Sequence, residues 1–288
     1  MIALSTGSLH TYGLSRVFAL AAETGFDGIE VMVDRPNDNR DPAYLRALAE
    51  RHGLPIVALH SPFVARISGW PSDQMGRLEW TLEMARELEV PVVVTHLPYR
   101  VYGLLCQWHG ARTRRLFLPV FLLRREPYYH LLRQTEKLAQ MEAESGVTIA
   151  VENMPARRIL GVPLSVYWFN RWDHLARFPH LTLDTTHIGT WGADVLEAYD
   201  KLGQRVAHVH LSNYDGREHR APPDGELALD LLLQRLASDG YRGAISVETS
   251  PDAFSAEQPD DCRAALARTL AFCRKHYAPS PESVTPQA

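Results

Sequence analysis

The chain of 288 residues is 45% hydrophobic and 22% charged, with a formal net charge of −4. These values are typical of one globular domain with an ample core, and the acidic balance gives no overall attraction to nucleic acid or to an anionic membrane. The N-terminus lacks the pattern of a signal peptide and no apolar run is long enough to span a bilayer, so we expect a cytoplasmic protein.

The first half of the chain alternates between short apolar runs and helical patterns. The runs are typical of strands buried in a parallel sheet, and they occupy residues 2–5, 27–33, 56–60 and 91–96. Amphipathic helical patterns lie between them. Gly25 and Gly53 follow the first two of these helices, as C-terminal caps commonly do.

The same alternation continues to the C-terminus. It predicts four more strands, at residues 147–152, 181–184, 206–210 and 244–248. It also predicts helices at residues 129–145, 165–177, 193–202, 226–238 and 259–276. Eight β/α units favour an α/β fold of one domain, a closed (β/α)8 TIM barrel over residues 1–277. An open doubly wound sheet is the alternative, and the proline- and serine-rich residues 278–288 are predicted to be a disordered tail.

One long insertion interrupts the pattern after the fourth strand, at residues 97–129. A connection of this length is uncommon and usually functional. Because it leaves the C-terminal end of a strand, we expect it to cover the barrel mouth as a lid or as part of a homo-oligomer interface. Its six arginines and its aromatic residues suit phosphate binding and ring stacking. The alternative is a solvated basic loop whose apolar strip packs on the barrel or on a partner.

Six of the predicted strands stop at a residue that is able to bind a metal. These residues are His60, His96, Glu152, Asp184, His210 and Glu248. In a parallel barrel the C-terminal strand ends meet at one face, which is where the active sites of such barrels lie. The sequence therefore predicts that the six residues converge on one polar site.

Four of these residues, Glu152, Asp184, His210 and Glu248, follow four consecutive strands. Three carboxylates and an imidazole suit a divalent metal such as Mn²⁺, Mg²⁺, Co²⁺ or Zn²⁺. Three carboxylates crowded together without a cation would repel one another, and some would be forced to protonate. We therefore predict one metal site formed by this set.

Four short motifs carry a family resemblance: VENMP at 151–155, LDTTH at 183–187, HVHLSNYDG at 208–216 and SVET at 246–249. They resemble the motifs of xylose isomerase-like barrels, which include sugar and sugar-phosphate isomerases, ketose 3-epimerases, inosose-processing enzymes and endonuclease IV. The resemblance implies proton transfer by Glu152 and Glu248 through a metal-stabilised enediolate. It also implies that His187 and Arg217 contact substrate oxygens.

Two histidines leave alternatives open. The resemblance makes His60 and His96 either ligands of a second metal bridged by Glu152, as in endonuclease IV, or histidines that line the substrate pocket. In endonuclease IV-like enzymes an Asp-x-His pair helps to hold a third metal. Here Arg217 stands in the acidic position, so no third metal is expected and His219 is assigned to substrate binding.

Glu30 and His208 are further candidates inside the barrel. Glu30 lies in the second strand, and it is predicted to contact substrate, to support a metal ligand, or to make a plain buried hydrogen bond. His208 shares a strand face with His210 but lies deeper, so we expect a core histidine bonded within the barrel.

These observations favour a metal-dependent isomerase or epimerase of a small sugar or polyol-derived carbonyl compound, with a small-molecule carbohydrate as its partner. The alternative is an endonuclease IV-like phosphodiesterase or AP endonuclease, which needs two or three metals and a basic face for DNA. The acidic net charge does not favour nucleic-acid binding. A third hypothesis is a non-catalytic barrel in which the insertion at 97–129 binds a partner.

Overall fold

Eight short apolar runs form the strands of a closed parallel barrel in the computed structural model of this chain. The structure describes residues 1–63, 67–108, 114–121, 126–159 and 161–278, without the side chains of 102–108, 114–121 and 159. The barrel strands are β1 (Ile2–Ser5), β2 (Gly28–Met32), β3 (Ile56–His60), β4 (Val92–Thr95), β5 (Thr148–Glu152), β6 (His180–Asp184), β7 (Val206–Leu211) and β8 (Ala244–Val247). Because β1 pairs in parallel with both β2 and β8, the sheet has no free edge. The predicted TIM barrel is confirmed.

Helices surround the barrel. They are α1 (Leu14–Thr24), α2 (Pro42–His52), α3 (Gln74–Leu88), α4 (Pro127–Arg133), α5 (Thr135–Ser145), α6 (Trp172–Leu175), α7 (Thr185–Trp191), α8 (Val195–Leu202), α9 (Leu229–Ser238) and α10 (Pro259–His276). Short 3-10 helices lie at Thr6–Leu9, Asn37–Arg40, Gly203–Arg205 and Pro251–Phe254. Gly25 adopts the left-handed conformation that its predicted capping role requires, with a φ of 93°. None of the described helices has the length and apolarity that a bilayer span requires.

The strands divide their side chains between the helices and the barrel interior, because alternate residues of a strand face opposite sides. Aliphatic residues such as Val151, Leu183 and Val209 belong to the large core that the helices cover. The residues that alternate with them are small or polar, for example Ala150 and Thr182, and both are buried. This division keeps a polar site at the barrel mouth separate from the apolar core that holds the fold together.

The predicted helix at 165–177 is wrong. Only the short α6 forms there, and it follows a two-stranded hairpin of Arg157–Ile159 and Val162–Leu164. Phe169 has a φ of 61°, which is outside the helical region. The side chain of Asn170 exchanges two hydrogen bonds with the backbone of Met154, so this segment is fixed by tertiary contacts.

The insertion contains a second hairpin, in which Val101–Trp108 pairs antiparallel with Arg114–Phe121. Its base is fixed to the segment after the first hairpin, since the Arg100 amide donates to the Val166 carbonyl at 2.6 Å and Tyr99 bridges Tyr167. Whether the insertion acts as a lid or as an interface stays a prediction. The predicted disordered tail falls almost entirely on residues 279–288, which lie outside the described residues.

Candidate metal centre

The C-terminal ends of four strands bring together the predicted metal ligands. The ligand atoms of Glu152, Asp184, His210 and Glu248 all lie within 4.8 Å of one another. His210 stands between the carboxylates: its Nδ1 lies 2.8 Å from Glu248 Oε2 and 3.2 Å from Glu152 Oε1. Asp184 Oδ2 is 3.8 Å from the same nitrogen. The four side chains thus face one shared point.

Asp184 is held by local structure on one oxygen only. Its Oδ1 accepts the His187 amide at 2.9 Å, which caps helix α7. The side chain of Asn153 brackets its backbone, accepting the Asp184 amide at 2.8 Å and donating to its carbonyl at 3.0 Å. The other carboxylate oxygen, Oδ2, is buried and has no hydrogen-bond partner. A buried carboxylate oxygen without a partner is costly, and a cation would satisfy it.

The ionisable side chains of the site shift the pKa values of their neighbours in different directions. Burial and the nearby charge of Glu152 raise the pKa of Asp184 well above its ordinary value. Burial opposes charging of His210, but Glu248 and Glu30 outweigh it and raise the pKa of His210 well above its ordinary value. The pKa of Glu152 is held well below its ordinary value by His96 and His210, despite burial. Asp184 and His210 are thus shifted toward their protonated forms and Glu152 toward its ionised form.

A divalent cation fits this donor set. Three carboxylates and one imidazole provide oxygen-rich ligands with one nitrogen, which suit Mn²⁺, Mg²⁺, Co²⁺ and Zn²⁺. The orphaned Asp184 Oδ2 supports the same conclusion. Glu152 and Glu248 both contact His210 Nδ1, at 3.2 and 2.8 Å, and their role in proton transfer stays a prediction.

The two remaining strand-end histidines form a neighbouring group with Glu152. His96 Nε2 lies 2.9 Å and His60 Nε2 3.5 Å from Glu152 Oε2. These three residues also satisfy the spacing of a metal site. His60 is buried, whereas His96 is partly exposed and its ring stacks on the exposed ring of Phe63 at 4.7 Å. This geometry suits a second metal as well as a pocket wall, so both alternatives stay open.

A third group contains His187 of helix α7 and two residues that follow strand β7. His187 donates from Nδ1 to the Asn153 carbonyl at 2.8 Å, which leaves Nε2 for a ligand. His187, Glu218 and His219 come within metal-binding distance of one another. No third metal is expected from the sequence because Arg217 stands in the acidic position, but Glu218 beside it brings a carboxylate to this group. No signal in the sequence alone distinguishes the two positions.

Arg217 lies away from this group. Its side chain is 67% exposed, and it pairs with Asp215 at 2.7 Å. The predicted contact of Arg217 with substrate therefore requires that the side chain leave this pair. His219 is closer to the centre, with its Nδ1 3.3 Å from the Glu248 carbonyl oxygen.

Glu30 lies inside the barrel, below the candidate metal ligands. It is fully buried, and its two oxygens contact His208 Nε2 at 2.7 Å and His210 Nε2 at 3.0 Å. Burial opposes its ionisation, but the two histidines hold the pKa of Glu30 well below its ordinary value. Both oxygens are occupied, so this geometry favours support of a ligand over the predicted substrate contact. His208 is bonded within the barrel, as its position on the strand indicates.

The comparisons with known proteins agree with this architecture. A family model described as "Xylose isomerase-like TIM barrel" matches residues 18–275. An uncharacterised protein of Mycobacterium leprae is 27% identical, over 96% of this chain and 97% of the relative. A solved D-tagatose 3-epimerase-like protein superposes with a TM-score of 0.62 at 21% identity, over 96% of this chain and 99% of that one. An AP endonuclease of family 2 from Brucella melitensis superposes with a TM-score of 0.66 at 20% identity, over 94% and 98% of the two chains.

Proposed function

Because this chain belongs to the family of xylose isomerase-like TIM barrels, we propose that it is a metal-dependent isomerase or epimerase of a small sugar or polyol-derived carbonyl compound. The observation that carries the proposal is the convergence of three carboxylates and one histidine, with Asp184 Oδ2 buried and without a hydrogen bond. The similarity to a D-tagatose 3-epimerase-like structure supports a carbohydrate substrate.

Glu152, Asp184, His210 and Glu248 would hold one divalent metal. When bound, such a cation would polarise a carbonyl and an adjacent hydroxyl. It would thereby acidify the C–H bond of the carbon that bears the hydroxyl. The donor set accommodates Mn²⁺, Mg²⁺, Co²⁺ or Zn²⁺. Ligation requires that Asp184 and His210 give up the protons that their raised pKa values favour in the metal-free protein.

Glu152 and Glu248 would move the substrate proton. Despite burial, neighbouring histidines lower the pKa of both groups, so both are carboxylates able to accept a proton. Both reach the same atom, His210 Nδ1, with Glu152 Oε1 at 3.2 Å and Glu248 Oε2 at 2.8 Å. Two carboxylates beside one bound substrate would serve as base and acid on the two faces of its reacting carbon.

The neighbouring histidines would bind substrate oxygens. His187 has its Nδ1 committed to the Asn153 carbonyl, so Nε2 is the nitrogen left for a substrate hydroxyl. His219 lies beside it, with ring centroids 5.6 Å apart. His60 and His96 would line the other side of the pocket in this account, with Phe63 against His96.

Exchange of a substrate proton with solvent tests the proposal. We expect the metal-loaded protein to incorporate deuterium from D₂O next to the carbonyl of at least one ketose in a panel. Glu248→Gln should abolish this exchange, because an amide cannot accept the proton. Glu79→Gln, an exposed change on helix α3, is the matched control and should exchange like the unmodified protein. Full exchange in Glu248→Gln would assign the chemistry to other residues.

A second candidate function is metal-dependent phosphodiester hydrolysis. It is favoured by the two further groups, one of His60, His96 and Glu152 and the other of His187, Glu218 and His219. The similarity to an AP endonuclease of family 2 supports it as well. The acidic net charge of −4 opposes it, because DNA binding depends on cationic surface.

A further inference from the structure

Three ionisable side chains form a buried, hydrogen-bonded triad beneath the proposed metal centre. They are Glu30 on β2 with His208 and His210 on β7, and all three are fully buried. Glu30 uses one oxygen for each histidine, Oε2 for His208 at 2.7 Å and Oε1 for His210 at 3.0 Å. In both histidines the atom that contacts Glu30 is Nε2. The only hydrogens in these two contacts belong to the imidazoles, because an ionised carboxylate only accepts.

From this triad we infer that Glu30 is a positioning residue that keeps the proton of His210 on Nε2. The Nδ1 of His210 is then free to bind the metal, and His208 holds Glu30 in place. The inference rests on the proposed function, because it assigns the Nδ1 of His210 as the ligand atom. A neutral imidazole carries one proton, and the partner of one ring nitrogen decides what the other can bind.

The need for such a device follows from the charges around His210. On the Nδ1 side stand Glu248 at 2.8 Å and Glu152 at 3.2 Å. By themselves these carboxylates would draw the single ring proton to Nδ1, which is the tautomer that cannot bind a cation. Glu30 places a carboxylate on the opposite edge of the ring, where it competes for the same proton.

His208 gives Glu30 its fixed orientation. Its Nε2 donates to the oxygen that His210 does not use, and its ring stands edge-on to that of His210, with centroids 5.2 Å apart. The barrel leaves room for this triad because small residues lie opposite two of its members on the neighbouring strands. Ala58 is opposite Glu30, and Ala244 is opposite His208.

The test measures Mn²⁺ affinity of the full chain by calorimetry after removal of bound metal. Glu30→Gln should weaken Mn²⁺ binding by about 10–100-fold, the usual cost of losing a partner of a metal ligand. The uncharged amide is a weaker acceptor, so the ring proton of His210 moves toward Glu248. Ser246→Ala is the matched control, because Ser246 is buried opposite His210 but its hydroxyl makes no hydrogen bond. Its Mn²⁺ affinity should equal that of the unmodified protein.

Unchanged Mn²⁺ affinity in Glu30→Gln would overturn the inference. If that variant does not fold, two variants of His208 decide the question. His208→Leu removes the donor to Glu30 and should weaken Mn²⁺ binding, whereas His208→Gln restores an N–H donor and should recover part of the affinity. Equal affinity in His208→Leu and the unmodified protein overturns the inference.

A second readout separates this inference from the proposed function. Crystal structures of the metal-free protein and of Glu30→Gln should differ in the His210 ring, which loses its fixed contact to residue 30. If the unmodified protein binds no Mn²⁺, the proposed function fails, yet the ring position still tests the role of Glu30. A His210 ring that is unchanged in Glu30→Gln would contradict that role.

Discussion

One carboxylate oxygen of Asp184 is left without a hydrogen bond in the interior. Its Oδ1 caps helix α7, whereas its Oδ2 is buried and makes no hydrogen bond. Asp184→Asn preserves the shape but removes the charge, so we expect Mn²⁺ affinity to fall by at least the roughly 10–100-fold cost of losing an outer-shell partner. Metal titration of purified protein measures this loss.

Asp173→Asn provides the matched control for that change. Asp173 is an exposed aspartate on α6, and its side chain pairs only with Arg171 among the described ion pairs. It should bind metal like the unmodified protein and unfold at the same temperature. Metal occupancy that is undiminished in Asp184→Asn would remove Asp184 from the ligand set.

The pH dependence of metal binding follows from the same residues. Burial and Glu152 raise the pKa of Asp184, and Glu248 and Glu30 raise that of His210 against the effect of burial. Because a bound metal would displace both protons, we expect the apparent Mn²⁺ affinity to rise with pH, and to keep rising above 6.5, the ordinary pKa of histidine. Calorimetry in buffers of different ionisation enthalpy counts the protons released. No proton release and a flat pH profile would contradict the assignment.

The stability of the metal-free protein should change in the opposite sense. A raised pKa of His210 contributes stability that is full below its ordinary value of 6.5 and is lost as pH rises through the folded value. The raised pKa of Asp184 acts in the same direction above its ordinary value of 3.8. The lowered pKa values of Glu152 and Glu248 act the other way, because their stability is lost as pH falls below 4.5. Chemical denaturation at several pH values should show that the free energy of unfolding falls toward both acidic and alkaline pH.

At the residue scale, the sequence predicts where a side chain stands on its strand better than it predicts which side chains it contacts. The convergence of strand-end residues such as Glu152 and Asp184 is predictable, because the end of an apolar run is a local feature. The bond between Glu30 and His210 joins residues 180 positions apart, and no local pattern encodes it. The bracket that Asn153 forms around Asp184 was missed for the same reason.

At the scale of elements, the insertion between β4 and α4 has the clearest consequence. Its base is tied to residues 166 and 167, and its hairpin extends from there. Deleting residues 103–125 should weaken substrate binding or lower the number of chains in the oligomer. Metal binding should survive, because none of the four ligands lies in the insertion. Kinetics measured together with light scattering tests both roles, and no change in either would exclude both.

The elements that the sequence predicted correctly are those whose signals are local. Helix α10 begins at Pro259 and ends at His276, as its pattern indicates. The segment at 165–177 has helical spacing but not a helix, because Phe169 adopts a positive φ and Asn170 is bonded to Met154. Tertiary contacts overrode the local propensity there.

For the whole molecule, net charge separates the two candidate functions. A chain of net charge −4 has little long-range attraction for DNA. We therefore expect no nicking of an abasic-site duplex above background in the presence of Mn²⁺ or Zn²⁺. Gel analysis of a labelled duplex tests this expectation. Cleavage that His96→Ala abolishes would instead favour the phosphodiesterase.

Metal-dependent proton exchange tests the central claim most directly. The protein is stripped with a chelator and offered a ketose in D₂O, and then Mn²⁺, Mg²⁺, Co²⁺ or Zn²⁺ is added in measured amounts. We predict that deuterium incorporation disappears on stripping and returns as one equivalent of metal per chain is bound. Exchange that persists undiminished in the stripped protein, or that none of the four metals restores, would contradict the account.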